Sequence, residues 1–159
     1  MPRKQPERPF EILLVEDSPG DARLTLEALA ENGSRSRLHI VRDGVEACEF
    51  LHRRGKFADA LRPDLILLDL NMPRMDGREF LKFVKGAGAF RHIPVVVLTT
   101  STSPTDIWDA YGLHANCYLT KPVNLIDYVT LIRCVEEHWL DLAHLPQAAQ
   151  GILTSPEDA

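Results

Sequence analysis

A doubly wound α/β fold, one parallel sheet covered by helices on both faces, is what this sequence predicts. Three observations predict it. Short apolar runs recur five times along the chain. Segments with helical spacing lie between them, and capping residues mark where several of those segments begin. Strand and helix therefore alternate, which is the pattern of a sheet wound on both sides.

The runs fall at residues 11–15 (EILLV), 38–41 (LHIV), 64–68 (DLILL), 93–98 (IPVVVL) and 116–119 (NCYL). The third and fourth are almost wholly apolar and rich in branched residues, as expected of strands buried on both faces. Between them, Ala22, Leu26 and Leu29 can share one helix face, as can Ala47, Phe50 and Leu51, and Phe80, Leu81 and Val84. The last helical segment carries Leu125, Val129, Ile132, Val135 and Trp139. Ser18-Pro19, Ser103-Pro104 and Asn124 read as N-caps, twice with Pro at the first helical position. Asp21, Asp106 and Asp127 follow three residues later, where an acid suits the helix dipole. One domain over residues 10–146 is expected, with a disordered leader at 1–9 and a flexible tail at 147–159. The stretch WLDLAHLP at 139–146 is too apolar for a free tail and should pack on something.

Composition narrows the function. Of 159 residues, 45% are apolar and 26% charged, which is ordinary for a soluble domain with a core. A net charge of −5 argues against a nucleic-acid footprint. Cys48, Cys117 and Cys134 form no CxxC pair and read as reduced thiols of a cytoplasmic protein. The six histidines lack paired spacing, which disfavours zinc. No apolar run reaches the ~18–20 residues of a membrane span, and the charged start is not a secretory signal.

Ligands of an open α/β sheet sit at the carboxyl ends of its strands. Glu16 and Asp17 follow the first run, Asp69 the third, Thr99 and Thr100 the fourth, and Lys121-Pro122 the fifth. Each has an ordinary reading alone: helix-entry acids, a turn aspartate, a strand-end threonine, a solvated lysine. Together they put three carboxylates, a hydroxyl and an ammonium on one edge. Clustered carboxylates need a cation, and an oxygen-only set suits Mg²⁺. Beside that cation a carboxylate can act as nucleophile and form an aspartyl phosphate, with lysine and threonine meeting the phosphoryl oxygens.

The strings ILLVEDSPGD, DLILLDLNMPRMDG, PVVVLTTS and CYLTKP, spread from about residue 10 to about residue 142, resemble the receiver domain of bacterial response regulators. The resemblance implies a flavodoxin-like fold with strand order 2-1-3-4-5. It implies Asp69 as phosphoacceptor and Glu16, Asp17, Asp69 and the Asn71 backbone carbonyl around Mg²⁺. Thr99 becomes the switch hydroxyl, Lys121 the phosphoryl-pairing lysine with a cis bond to Pro122, and Tyr118 the switch aromatic. Pro73 would shape the loop after the site and Gly77 the close turn. Two departures stand out: Glu16 where many receivers have Asp, and Thr100 where a small residue usually follows the switch threonine, narrowing access to Asp69.

A finer resemblance rests on GVEACEFLHRRGKFADALRPDLILLDLNMPRMDGREFL, PVVVLTTSTSPTDI and the end from ANCYLTKPVN to VEEHWLDLAHLP. These strings are similar to the phytochrome-associated response regulators, stand-alone receivers that take phosphate from a red-light-sensing histidine kinase. Only about 17 residues follow Leu142, too few for a helix-turn-helix module, so output is expected through protein contacts. A homodimer or partner surface is expected on helix 4, strand 5 and helix 5, with Tyr118, Trp139, Leu140, Leu142 and Leu145 in it. Fold-back of those side chains on their own domain is the competing expectation. The competing activity, a dehalogenase-type Mg²⁺-dependent phosphatase, would need an acid two residues past the nucleophile, where this chain has Asn71. A flavin-binding flavodoxin is disfavoured because the acidic loop at Glu16-Asp17 repels phosphate.

Overall fold

The computed structural model describes residues 8–72 and 74–146. Residues 1–7, Pro73 and the tail at 147–159 lie outside the described residues. In chain order the elements are β1 (Glu11–Val15), α1 (Pro19–Glu31), β2 (Arg37–Val41), α2 (Gly44–Leu51), a short 3₁₀ turn (Gly55–Phe57), β3 (Leu65–Leu68), α3 (Gly77–Gly86), β4 (Val95–Thr99), α4 (Pro104–Gly112), β5 (Cys117–Thr120) and α5 (Leu125–Glu136). A π-helical stretch, Glu137–Leu142, continues α5. The strands form one parallel sheet in the order β2-β1-β3-β4-β5, as the flavodoxin-like expectation required.

The continuous apolar runs divide cleanly between two cores, because successive strand side chains point to opposite faces. On one face Leu13, Val15, Ile66, Leu68, Val95 and Val97 pack with Phe50 of α2, Phe80, Leu81 and Val84 of α3, and Ala110 of α4. On the other, Ile12, Leu14, Leu65, Leu67, Val96 and Leu98 pack with Ala22, Ala28 and Leu29 of α1 and Tyr128, Ile132 and Val135 of α5. β1, β3 and β4 are buried throughout, while the edge strands β2 and β5 are only partly so.

All five α-helices start the same way. Ser18, Asp43, Asp76, Ser103 and Asn124 each accept the backbone N–H three residues on, satisfying a donor that the first turn leaves free. Ser18, Ser103 and Asn124 match the caps expected from sequence, and Asp43 and Asp76 add two more.

Several expectations change. Leu26 is half exposed, and the inner face of α1 carries Thr25 instead, whose hydroxyl meets the Tyr128 hydroxyl at 2.9 Å. Leu125, expected on the inner face of α5, is exposed, and Tyr128 takes the place one turn on. Leu140, expected on a partner surface, is buried against α1 and α5 core residues of its own domain, and Trp139 and Leu145 pack on the same cluster. The wider π turn, closed by the Ala143 N–H on the His138 carbonyl at 2.8 Å, carries that fold-back. Leu142 stays exposed. Arg8 pairs with Asp64 at 3.0 Å, so the end of the expected leader is tied to the sheet. The Lys121-Pro122 bond is trans rather than cis, the form an X–Pro amide intrinsically prefers.

Candidate functional site

The sheet's hydrogen bonding runs one residue past three strand ends. The Glu16 N–H donates to the Val41 carbonyl at 2.9 Å, Asp69 N–H to Val15 at 3.0 Å, and Lys121 N–H to Thr99 at 2.8 Å. Each backbone is thus held by the neighbouring strand while its side chain stands free of the ladder. Glu16, Asp69, Thr99 and Lys121 are all buried; Asp17 is exposed.

One carboxylate oxygen each from Glu16, Asp17 and Asp69 lies within 4.8 Å of the others. The Lys121 Nζ donates to Glu16 Oε2 at 2.5 Å, Asp21 Oδ2 at 2.9 Å and Asp69 Oδ2 at 3.4 Å. Burial opposes the ammonium, but the hydrogen bonds to Asp21 and Glu16 and the charges of Glu16 and Asp69 outweigh it, so Lys121 is held above the ordinary lysine range. Burial pushes the Glu16 carboxyl up to about 7, against the Lys121 hydrogen bond and with the repulsion of Asp69. Three acids share one ammonium and a fourth, Asp17, stands beside them, a negative surplus that fits a hard divalent cation bound through oxygen.

Thr99 Oγ1 has no hydrogen-bond partner, the one buried side-chain oxygen or nitrogen in that state among the described residues. A buried hydroxyl left unsatisfied costs about 1–3 kcal/mol, which an incoming acceptor relieves. Tyr118 is half-buried and donates its hydroxyl to the Ser101 carbonyl at 2.9 Å. Ser101 Oγ in turn donates to Asp106 at 2.6 Å, and Arg78 of α3 pairs with the same carboxylate. The Ser101 hydrogen bond first, then the Arg78 charge, holds the Asp106 carboxyl below its usual range. Thr100 is exposed.

Asn71 donates its backbone N–H to Asp69 Oδ1 at 3.3 Å, orienting that carboxylate. Arg74 and Met75 are clasped to the start of α2. Arg74, at φ +61°, pairs with Asp43 at 2.6 Å, and Gly44 N–H meets the Met75 carbonyl at 2.9 Å. Gly77 donates to the Leu70 carbonyl at 2.9 Å, and a Cβ there would strike the Asp69 carbonyl oxygen and stand 2.5 Å from Leu70 Cα.

The site therefore brings together Glu16, Asp17, Asp69, Thr99 and Lys121 as read from sequence. Sequence reasoning missed Asp21 as a lysine partner and Asp43 altogether. Asp21 stands one helical turn beyond Asp17, and Asp43 follows β2 as the other acids follow their strands; both signals were present.

The Response regulator receiver domain family matches residues 12–133. The chain belongs to the response regulator receiver family. This receiver is 47% identical over 140 residues to Response regulator Rcp1 of Synechocystis sp., covering 88% of this chain and 95% of that one. Among solved structures, the phosphorylated cyanobacterial phytochrome response regulator RcpA superposes with a TM-score of 0.83 at 47% identity, over 87% of this chain and 99% of that one. The Mn²⁺-bound form of Rcp1 superposes at 0.81, also at 47% identity, over 87% and 100%. The receiver is thus a response regulator of a two-component phosphorelay, close to phytochrome response regulators, and its family binds a divalent metal. No described helix is long and apolar enough to cross a membrane.

Proposed function

We propose that Asp69 is the phosphoacceptor of this response regulator, loaded by a histidine kinase of the bacterial phytochrome type in the cytoplasm. The observation that carries the reading is the buried Asp69 carboxylate at the end of β3, with Lys121 on one oxygen and the Asn71 N–H on the other. An Asp69 oxygen attacks phosphorus, the O–P bond forms, the P–N bond of the kinase's phosphohistidine breaks, and the imidazole leaves with its electron pair. Glu16, Asp17, Asp69 and the Asn71 carbonyl are the groups that would hold Mg²⁺, which when bound offsets phosphoryl charge. Lys121 donates to a phosphoryl oxygen. Thr99 supplies its idle hydroxyl to another, and Tyr118 follows, loosening the Ser101 loop before α4.

Asn71 provides no carboxyl to protonate a leaving group, so the site holds a signal rather than turning over substrate. Output through a homodimer or protein partner on α4, β5 and α5 is supported by exposed Trp108 and Leu142, with Tyr118, Trp139 and Leu145 at its margins and Leu140 beneath it. Sedimentation at micromolar concentration tests it; a monomer with and without phosphorylation sinks the dimer. A net charge of −5 weighs against nucleic acid as a partner.

Asp69→Asn abolishes labelling by the cognate phosphorylated kinase while the melting temperature is kept. Label retained at position 69 refutes the assignment.

A further inference from the structure

Lys121 is hydrogen-bonded to three carboxylates, and two of them, Glu16 and Asp69, belong to the acid cluster that could hold a cation. Asp21 does not. Its backbone is fixed from both sides: its N–H is held by the Ser18 hydroxyl at 3.2 Å, and its carbonyl accepts the Thr25 hydroxyl at 3.1 Å. Thr25 is itself buried against Tyr128 of α5. The Asp21 side chain is 34% exposed, so its charge keeps contact with water while its oxygen reaches Nζ at 2.9 Å.

We propose that Asp21 is a positioning residue for Lys121, the anchor that keeps the ammonium over the site once Glu16 and Asp69 are engaged by cation and phosphoryl group. The inference rests on the phosphoacceptor reading above. A lysine head rides on a four-carbon stem with several rotamers, and holding it in one place needs a fixed counter-charge. In the metal-free site three acids share that task. When the cluster turns to a cation, two of the three contacts are drawn away, and the carboxylate outside the cluster remains. Asp21 touches neither the metal nor the phosphoryl group; it acts by where it holds Nζ.

The test is a double-mutant cycle read by the rate of Asp69 labelling with acetyl phosphate at saturating Mg²⁺. Asp21→Ala is expected to slow labelling about tenfold, and Asp21→Asn, which keeps an acceptor oxygen but loses the counter-charge, to recover only part of it. In a Lys121→Ala background, Asp21→Ala changes nothing further. The Mg²⁺ dissociation constant of Asp21→Ala stays within about twofold of the parent, a readout that general damage to the site would move. An equal loss in both backgrounds, or no loss in either, overturns the proposal. Should Lys121→Ala fail to fold, the Lys121 ¹⁵Nζ resonance serves in its place. It shifts in Asp21→Asn with Mg²⁺ and trifluoroberyllate bound if the contact persists in the loaded site, and an unmoved signal overturns the idea. A parent protein that takes no label at Asp69 from acetyl phosphate or from a cognate phosphorylated kinase refutes the phosphoacceptor reading itself, and this inference with it.

Discussion

The two edges of the sheet bury acids on the same two strands, with opposite results. Glu11 opens β1 and Glu16 follows it; Asp64 precedes β3 and Asp69 follows it. At the amino edge, Glu11 meets His39 Nε2 at 2.6 Å and Arg37 at 3.5 Å, and Asp64 pairs with Arg8 and accepts the Glu11 N–H at 2.8 Å. Each acid there has its own cation. At the carboxyl edge, Glu16, Asp21 and Asp69 all draw on Lys121, Asp17 is close by, and Thr99 has no partner. A buried carboxylate is therefore no sign of a site in this fold. An unmatched set of them is, because the surplus is what calls for a cation.

The largest test of that contrast removes the one ammonium. Lys121→Met should cost about 3–5 kcal/mol without divalent cation, as expected when a buried ion pair loses one partner. Millimolar Mg²⁺ should restore much of it, read by denaturant unfolding with and without the metal. No such rescue would mean that the surplus charge is not what the cation answers.

Neutralising one acid at each edge should then give opposite signs. Glu11→Gln should destabilise by about 1–3 kcal/mol, since paired donors lose a charged acceptor. Glu16→Gln should stabilise the metal-free protein by about 1 kcal/mol and weaken divalent binding. The same sign governs pH. The Glu16 carboxyl is raised to about 7, so the folded chain binds more protons than the unfolded chain between the ordinary carboxylate range and that value. Metal-free stability from this group is present below that window and lost as pH rises through it, while Mg²⁺ affinity grows over the same interval. Lys121, held above its ordinary range, stays charged throughout and adds no slope there. Denaturant unfolding of the metal-free protein and isothermal titration with Mg²⁺, each at pH 5.5 and 7.5, check the two trends.

The smallest effect is at the rim of the satisfied edge. Arg8 is half exposed, and Arg8→Ala should change stability by less than about 1 kcal/mol and leave labelling unchanged.

Much of the architecture was legible because burial on both faces leaves an unbroken apolar run, as in LILL and VVVLT. The site was legible for a related reason: topology alone sends every strand end to one edge, so Glu16, Asp69, Thr99 and Lys121 could be collected without coordinates. What periodicity could not show was which of two neighbouring residues turns inward. Thr25 beats Leu26 because a hydroxyl partner, Tyr128, waits on α5, a pairing across more than a hundred residues. Leu140 escaped for a similar reason, since a π turn shifts the phase that a 3.6-residue count assumes. Sequence alone marks Asp21 as a helix-dipole acid, because its reach to Lys121 depends on how α1 is seated.

Gly77 leaves a last consequence. The residue carries no chemistry, yet a Cβ there would strike the Asp69 carbonyl oxygen, so any side chain must displace the backbone that carries that carboxylate. A genetic screen for silenced receivers should therefore return substitutions at this position beside those at Asp69. They would be indistinguishable by phenotype, and only the unfolding curve would separate a removed carboxylate from a displaced one.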